Sequence, residues 1–220
     1  MATAIIGVGH IGSAVARNLV QGGEDVVLAS NEEEHAANLA SELGDHARSA
    51  SVEDAIAEGD AVVLALWLDT IKELVPRHAD ALNGKLVVDP SNPIGFDEKG
   101  QIMRTLPEDQ SAGSVVASLL PAGAHYVKAF GTLGADSLAS AANRSPRRAV
   151  LFYATDDDVA AGSVVELIDA AGFDPVRAGG LGDAQRLEVP GGDLHENGGL
   201  GGKLLDVDEA RAAISVPSQA

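Results

Sequence analysis

The chain has 220 residues, 45% apolar and only 3% aromatic, which suits one domain, or one with a small appendage, and a core of Ala, Val, Leu and Ile. Its 33 acidic residues outnumber the 15 basic ones for a formal net charge of −18, a surface that repels nucleic acid and anionic membranes. The absence of cysteine excludes disulfides, thiolate nucleophiles and sulfur-ligated metals, and no apolar run reaches the length of a membrane span.

A cytoplasmic protein is therefore expected, with no leader ahead of the first strand. An acidic, lysine-poor surface also suits a salt-rich cytoplasm.

Strands and helices alternate from the start. "TAIIGV" reads as a strand, "HIGSAVARNLVQGG" as a helix closed by glycines, and "EDVVLAS" as a second strand. In "NEEEHAANLASELG", Asn31 is the expected N-cap, with Glu34 three residues on and Gly44 as the stop. A short edge strand over 47–49 precedes "SVEDAIAEG", where Ser51 and Asp54 repeat the capping pattern. "DAVVLALW" is the fourth strand, "LDTIKELVPRHADAL" a helix kinked at Pro76, and "KLVVDP" the fifth strand.

After a loop through Lys99, "SAGSVVASLLP" reads as a helix and "HYVKAF" as the sixth strand. "RRAVLFYAT", "DDDVAAGSVVELIDAAG" and "DPVRA" add a further β-α-β piece. The order predicts an α/β fold: a Rossmann-type doubly wound parallel sheet, with a small C-terminal β-α-β extension and a Gly-rich tail. The expected division is a dinucleotide-binding domain over 1–133, the extension over 134–190, and a mobile or partner-bound tail over 191–220.

Gly7, Gly9 and Gly12 form G-x-G-x-x-G between the first strand and the first helix. Chemically, Gly7 permits the tight turn and Gly9 lets backbone approach a pyrophosphate. Gly12 lets the helix sit on the strand, so that its N-terminal N–H groups face the phosphates. The bland alternative is a glycine turn that serves packing alone.

The adenosine end is read after the second strand, where a carboxylate would hold a plain ribose and an arginine a 2′-phosphate. This chain has Ser30 and Asn31, followed by Glu32, Glu33 and Glu34, with His35 one turn on. Ser30 and Asn31 can donate to a phosphate; equally, Asn31 can serve only as the cap.

The stretches "GVGHIGSAVA", "VVLAS", "VVLALW", "VVDPSNP", "HYVKAFGTL", "DDDVAAGSVVELIDAAGFDPVRAGGL" and "QRLE", in this order, resemble the NADP oxidoreductases that use the deazaflavin coenzyme F420. The resemblance covers about residues 4–187. It implies a nicotinamide-dependent reductase that moves hydride between NADP(H), or NAD(H), and a flavin-like acceptor such as F420 or a flavin. It places pyrophosphate on Val8, Gly9, His10 and Ile11, and the 2′-phosphate on Ser30 and Asn31 with His35 following. It also aligns the family's Ile-Pro-Trp loop with Ala65, Leu66 and Trp67. Two departures stand out: Asn31 replaces an arginine, and Phe130-Gly131-Thr132 stands where the deazaflavin enzymes often carry a histidine.

Ligands of a doubly wound sheet collect at the carboxyl ends of its strands. Leu66 and Trp67, Asn92 and Pro93, and Gly131 to Leu133 follow three such ends and would surround the nicotinamide. Trp67 can instead be a packing residue, and Asn92 can hold its own turn.

Hydride transfer to a planar ring needs proximity and stacking more than a side-chain acid, so no catalytic residue is assigned. No histidine spacing suggests a metal, and every histidine except His10 reads as a solvated surface residue. Glu188 and the tail beyond it could close over a small-molecule substrate or cross to a second subunit in a homodimer. The competing readings are a hydroxyacid or imine reductase without its helical domain, and an NAD(P)-binding sensor or scaffold without turnover.

Overall fold

In the computed structural model, residues 2–216 are described. The first half alternates β1 (Ala2–Ile6), α1 (His10–Gln21), β2 (Asp25–Ala29), α2 (Glu33–Leu43), β3 (Ala47–Ser49), α3 (Val52–Glu58) and β4 (Ala61–Leu64). It continues through α4 (Leu68–Arg77), α5 (Ala79–Leu82) and β5 (Leu86–Asp89) to a hairpin of β6 (Ile94–Phe96) and β7 (Ile102–Arg104). The second half runs α6 (Ala112–Leu119), β8 (His125–Lys128), α7 (Ala135–Ser140), β9 (Val150–Ala154), α8 (Asp158–Ala170), β10 (Asp174–Gly179) and α9 (Val207–Ile214).

Eight strands form one sheet in the order β10-β9-β8-β5-β4-β1-β2-β3. From β3 to β8 every neighbouring pair is parallel. The chain leaves β1 toward β2 and β3, then returns to place β4 on the other side of β1. That reversal opens a crevice at the carboxyl ends of β1 and β4.

The strands bury both faces, as a parallel sheet covered by helices requires. On β1, Ile5 faces one apolar cluster while Ala4 and Ile6 face the other. Alternation in a strand sends successive side chains to opposite layers, so this pentapeptide is apolar on both sides.

The expectation of an all-parallel sheet needs one correction: β9 joins β8 antiparallel, through Lys128 and Ala154. The link between them contains only the six-residue α7 and supplies no full crossover helix. β9 and β10 are parallel to each other and extend the same sheet.

Three local readings also change. Asn31 does not cap α2: the helix starts at Glu33 with Glu32 at the N-cap position and no side-chain cap bond. Ser30 instead spends its hydroxyl on the Glu32 N–H, which turns the chain before the helix begins. The expected loop through Lys99 contains the β6–β7 hairpin. At Pro76 the helix runs one residue further and breaks at His78, where α5 takes over.

The Gly-rich segment expected to be mobile or partner-bound folds onto its own sheet as far as it is described, and residues 217–220 lie outside the described residues. Leu194, Leu205 and Ala210 are buried with Phe152 and Val176. A Cβ on Gly198 would lie 2.2 Å from the Gly192 carbonyl oxygen, so at that position glycine serves close packing.

Candidate functional site: a cleft at the strand reversal

α1 begins at the turn that ends β1. Gly7 sits at φ +96°, and a Cβ there would lie 2.3 Å from the Ala65 carbonyl oxygen. At Gly12 a Cβ would lie 1.9 Å from the Gly7 carbonyl oxygen. Both glycines are therefore demanded by the approach of the helix to β1 and to the loop after β4.

Gly9 differs, because a Cβ there would meet nothing within 4 Å. Packing leaves this position open on the side that borders the cleft. No side chain caps α1, and its first turn carries no acid, so its leading N–H groups are available to an anion. Ser13 donates from Oγ to the Val8 carbonyl at 2.7 Å and fixes the loop from below.

A cleft of about 350 Å³ opens beside this turn, lined by Gly9, His10, Ile11, Ala65, Leu66, Trp67, Pro90, Ser91, Asn92 and Ile94. The carboxyl ends of β1, β4 and β5 thus meet in one apolar-walled hollow. Seven residues proposed from sequence line it: Gly9, His10, Ile11, Ala65, Leu66, Trp67 and Asn92. Trp67 is 54% exposed, which sets it apart from a core aromatic.

Ser30, Asn31 and His35 lie outside the cleft lining, beyond the end of β2. That end is tied to the glycine turn by the Gly7 N–H donating to the Ala29 carbonyl at 2.8 Å. His35 is already engaged, with Nε2 3.3 Å from a Glu32 carboxylate oxygen. The stretch after β2 thus offers neutral hydrogen-bonding groups and three carboxylates, but no arginine.

Gly131 and Thr132 stand behind the cleft floor. A Cβ on Gly131 would lie 2.5 Å from the Pro90 carbonyl oxygen. Phe130, fully buried, holds φ +64°, a conformation costly for a bulky residue. Asn92 does not merely hold its own turn: its Nδ2 donates to the Gly131 carbonyl at 3.2 Å, and its Oδ1 accepts the Val189 N–H at 2.8 Å. One amide therefore bridges the loops after β5 and β8 and the segment after β10.

Under the floor lies a charged group that sequence reasoning missed. Lys128 is 1% exposed, and its Nζ lies 3.1 Å from Asp89 Oδ2 and 3.6 Å from Glu188 Oε1. It also donates to the Ser91 carbonyl. Asp89 in turn accepts the Ser91 N–H at 2.8 Å and the Tyr126 hydroxyl at 2.8 Å. Burial, then the Asp89 charge, holds the Tyr126 phenol well above its usual range.

Glu188 accepts the N–H groups of Ala112 and Gly113 at 2.9 and 2.8 Å, at the start of α6. Its carboxylate therefore ties the end of the extension to α6 and does not close over the cleft. A signal for this group did exist: Asp89 and Lys128 are lone charges within the apolar strands "LVVD" and "HYVK".

His195 also departs from expectation, being 3% exposed where a surface histidine was predicted. Burial holds its pKa at about 4. Next to it, Glu196 and Asn197 share a shallow hollow with His10, so the tail borders the glycine turn. Among the described residues no group of histidines and acids could hold a metal ion. Nor is any helix among them long and apolar enough to cross a membrane.

Comparison with known proteins bears on the fold and the family. The family described as NADP oxidoreductase, coenzyme F420-dependent, matches residues 2–93. A hypothetical protein from Sinorhizobium meliloti is 31% identical, with a TM-score of 0.77 over 86% of this chain and 91% of its own. A proposed F420-dependent NADP-reductase from Arthrobacter sp. shares the fold, with 23% identity, a TM-score of 0.72, and coverage of 83% and 86% of the two chains. So does the reductive aminase from Aspergillus terreus solved with NADPH and ethyl levulinate, with 21% identity and a TM-score of 0.57. That match takes in 82% of this chain but 55% of the aminase. On the glycine turn, the Rossmann-type sheet and the family match over residues 2–93, the nucleotide-binding part of the chain belongs to the family described as NADP oxidoreductase, coenzyme F420-dependent.

Proposed function

We propose that the cleft binds the nicotinamide half of NADP(H) and transfers hydride to a flavin-like planar acceptor such as coenzyme F420 or a flavin. The observation that carries this reading is the open face at Gly9 beside an uncapped α1 N-terminus, at the edge of the cleft. A pyrophosphate needs such a cradle of free N–H groups without a side chain in the way. Val8, Gly9, His10, Ile11 and Gly12 would hold it, with Gly7 shaping the turn. Ser30, Asn31 and His35 would meet the adenosine phosphate. Ala65, Leu66, Trp67 and Asn92 would flank the nicotinamide, with Gly131 and Thr132 supporting it from behind.

When bound, the dihydronicotinamide supplies a hydride to an acceptor ring placed against it. The chain's own part is to bind, orient and keep water out. The Ala65, Leu66, Pro90 and Ile94 walls offer an apolar surface, and Asn92 locks the floor to its neighbouring loops. No side chain in the cleft is assigned a proton-transfer role. Residues 1–133 carry the nucleotide in this reading, and 134–190 buttress the floor through Glu188. The lack of cysteine supports a cytoplasmic location.

The test is oxidation of NADPH and of NADH by the purified protein with F420, FMN, FAD, ferric chelate and quinone. Turnover of NADPH with a flavin-like ring is the expected outcome. Tight binding of both nicotinamides with no turnover on the whole panel would instead identify a sensor or scaffold.

A further inference from the structure

The β6–β7 hairpin stands at the mouth of the cleft and carries an apolar stripe that no part of the described chain covers. Phe96 is 61% exposed, Ile102 63% and Trp67 54%. The register pairs Phe96 with Ile102 and Ile94 with Arg104. Residues directly opposite share a face of an antiparallel ribbon, and alternate residues of one strand share it too. Ile94, Phe96, Ile102 and Arg104 therefore lie on one face, with Ile94 at the cleft and the Phe96–Ile102 pair one step further along the hairpin.

Two observations tie that stripe to the cleft. Trp67 meets Phe96 edge to face, with ring centroids 5.9 Å apart. A second hollow of about 220 Å³ runs between the hairpin and the start of α4, lined by Trp67, Leu68, Asp69, Ile94, Gly95, Phe96 and Thr105. Trp67 and Ile94 line both hollows. Where nicotinamide occupies the inner one, an acceptor ring must approach from this mouth to lie within reach of the hydride.

The charges beside the stripe narrow the acceptor's chemistry. Asp69 is paired with Lys72 at 2.9 Å, and Arg104 donates to the Gln110 carbonyl. The hairpin turn carries Asp97 and Glu98 next to Lys99, within a chain of net charge −18. With Asp97 and Glu98 against Lys99 and Arg104 the hairpin has no net charge with which to select an anionic appendage, whereas an alkyl one has three large apolar side chains to lie on.

We propose that the Trp67–Phe96–Ile102 lip is an acceptor subsite for a quinone whose ring enters the cleft mouth and whose apolar chain lies along the hairpin. The proposal rests on the reductase reading and goes beyond it by adding a quinone to the acceptors the cleft takes. Reduction would transfer one hydride (two electrons and a proton) from dihydronicotinamide to the quinone ring. A second proton comes from solvent, leaving hydroquinone and oxidised nicotinamide.

Trp67 is the chain's single tryptophan, so its fluorescence reports on the lip directly. The probes are a decyl-substituted para-benzoquinone and the same ring without the chain, titrated into the full chain with and without NADPH. The decyl quinone is expected to quench Trp67 at lower concentration. Phe96→Ser and Ile102→Ser should each weaken that binding by about tenfold, as expected for losing one large apolar contact, with NADPH affinity unchanged. Both positions are exposed, so the variants should fold, and their circular dichroism checks this.

Equal affinity for the two quinones, or affinity unmoved by both substitutions, overturns the subsite. A switch from dimer to monomer on gel filtration with quinone affinity unchanged also overturns it, and would make the hairpin face an interface between copies. Quinone binding through the lip with no NADPH oxidation by any acceptor would support the subsite and count against the reductase reading.

Discussion

At Asn31 the local chemistry and the family position pull apart. The side chain is exposed, with its Oδ1 3.3 Å from Ser30 Oγ, and His35, one helical turn on, is held by Glu32. A charge-assisted bond to a phosphate is worth about 1.5–3 kcal/mol. Asn31→Arg is therefore expected to tighten NADPH roughly tenfold or more and leave NADH unchanged, read by titration calorimetry. No change in either affinity would remove Ser30 and Asn31 from the phosphate site.

His195 gives a second residue-scale expectation, with a sign set by burial. Its folded pKa of about 4 lies below the ordinary 6.5, so the neutral ring is what the fold accommodates. The unfolded chain takes up this proton first as pH falls. His195 therefore contributes its full stability above about pH 6.5 and loses it progressively toward pH 4. The contribution is at most about 3 kcal/mol. Urea unfolding at pH 7 and pH 4.5 should show a smaller acid loss in His195→Asn than in the parent chain. An identical loss in both proteins would mean that the ring is not buried neutral.

Among the helices, α8 shows how one side chain can serve two elements. Asp157 caps it by accepting the N–H groups of Val159 and Ala160 at 2.8 and 3.1 Å, and its other oxygen lies 2.7 Å from His125 Nδ1 on β8. Asp157→Ala should cost about 1 kcal/mol from the cap alone. A denaturant midpoint shifted by that amount, matched by His125→Ala only in part, would separate the cap from the pair. At α1 the opposite holds: the helix has no cap of its own. Leaving a helix end bare costs stability, and here it keeps N–H groups ready for a ligand.

The whole molecule carries 33 acids against 15 bases, and this excess repels itself in the compact state. Raising salt from about 0.01 M to about 1 M shortens the Debye length from about 30 Å to about 3 Å and should raise the melting temperature. A melting temperature that is flat or falling across this range would show that charge repulsion does not limit stability. The same field argues against nucleic acid as a partner.

Much of the frame was legible in the residues themselves. The alternation of apolar strands with amphipathic helices announced the doubly wound order, because periodicity is a local property; capping was a poorer guide, since α1 and α2 carry no side-chain cap. Gly7, Gly9 and Gly12 announced the turn, since each performs a steric task that sequence spacing encodes. Sequence could not say that Gly7 and Gly12 are required by packing while Gly9 faces open space; that distinction depends on the loop after β4, more than fifty residues away.

The antiparallel entry of β9, the apolar lip of the hairpin and the burial of Lys128, Glu188 and His195 were decided by tertiary structure. Each depends on which distant segment comes to lie beside it, as Glu188 finds its partners 75 and 76 residues back at Gly113 and Ala112. The Gly-rich stretch after β10 looked mobile by composition, yet Leu194 and Leu205 give it an apolar side that β9 and β10 can cover. Local preference and periodicity fixed the elements and their sequence order. Long-range burial of apolar and charged groups decided which of them build the cleft.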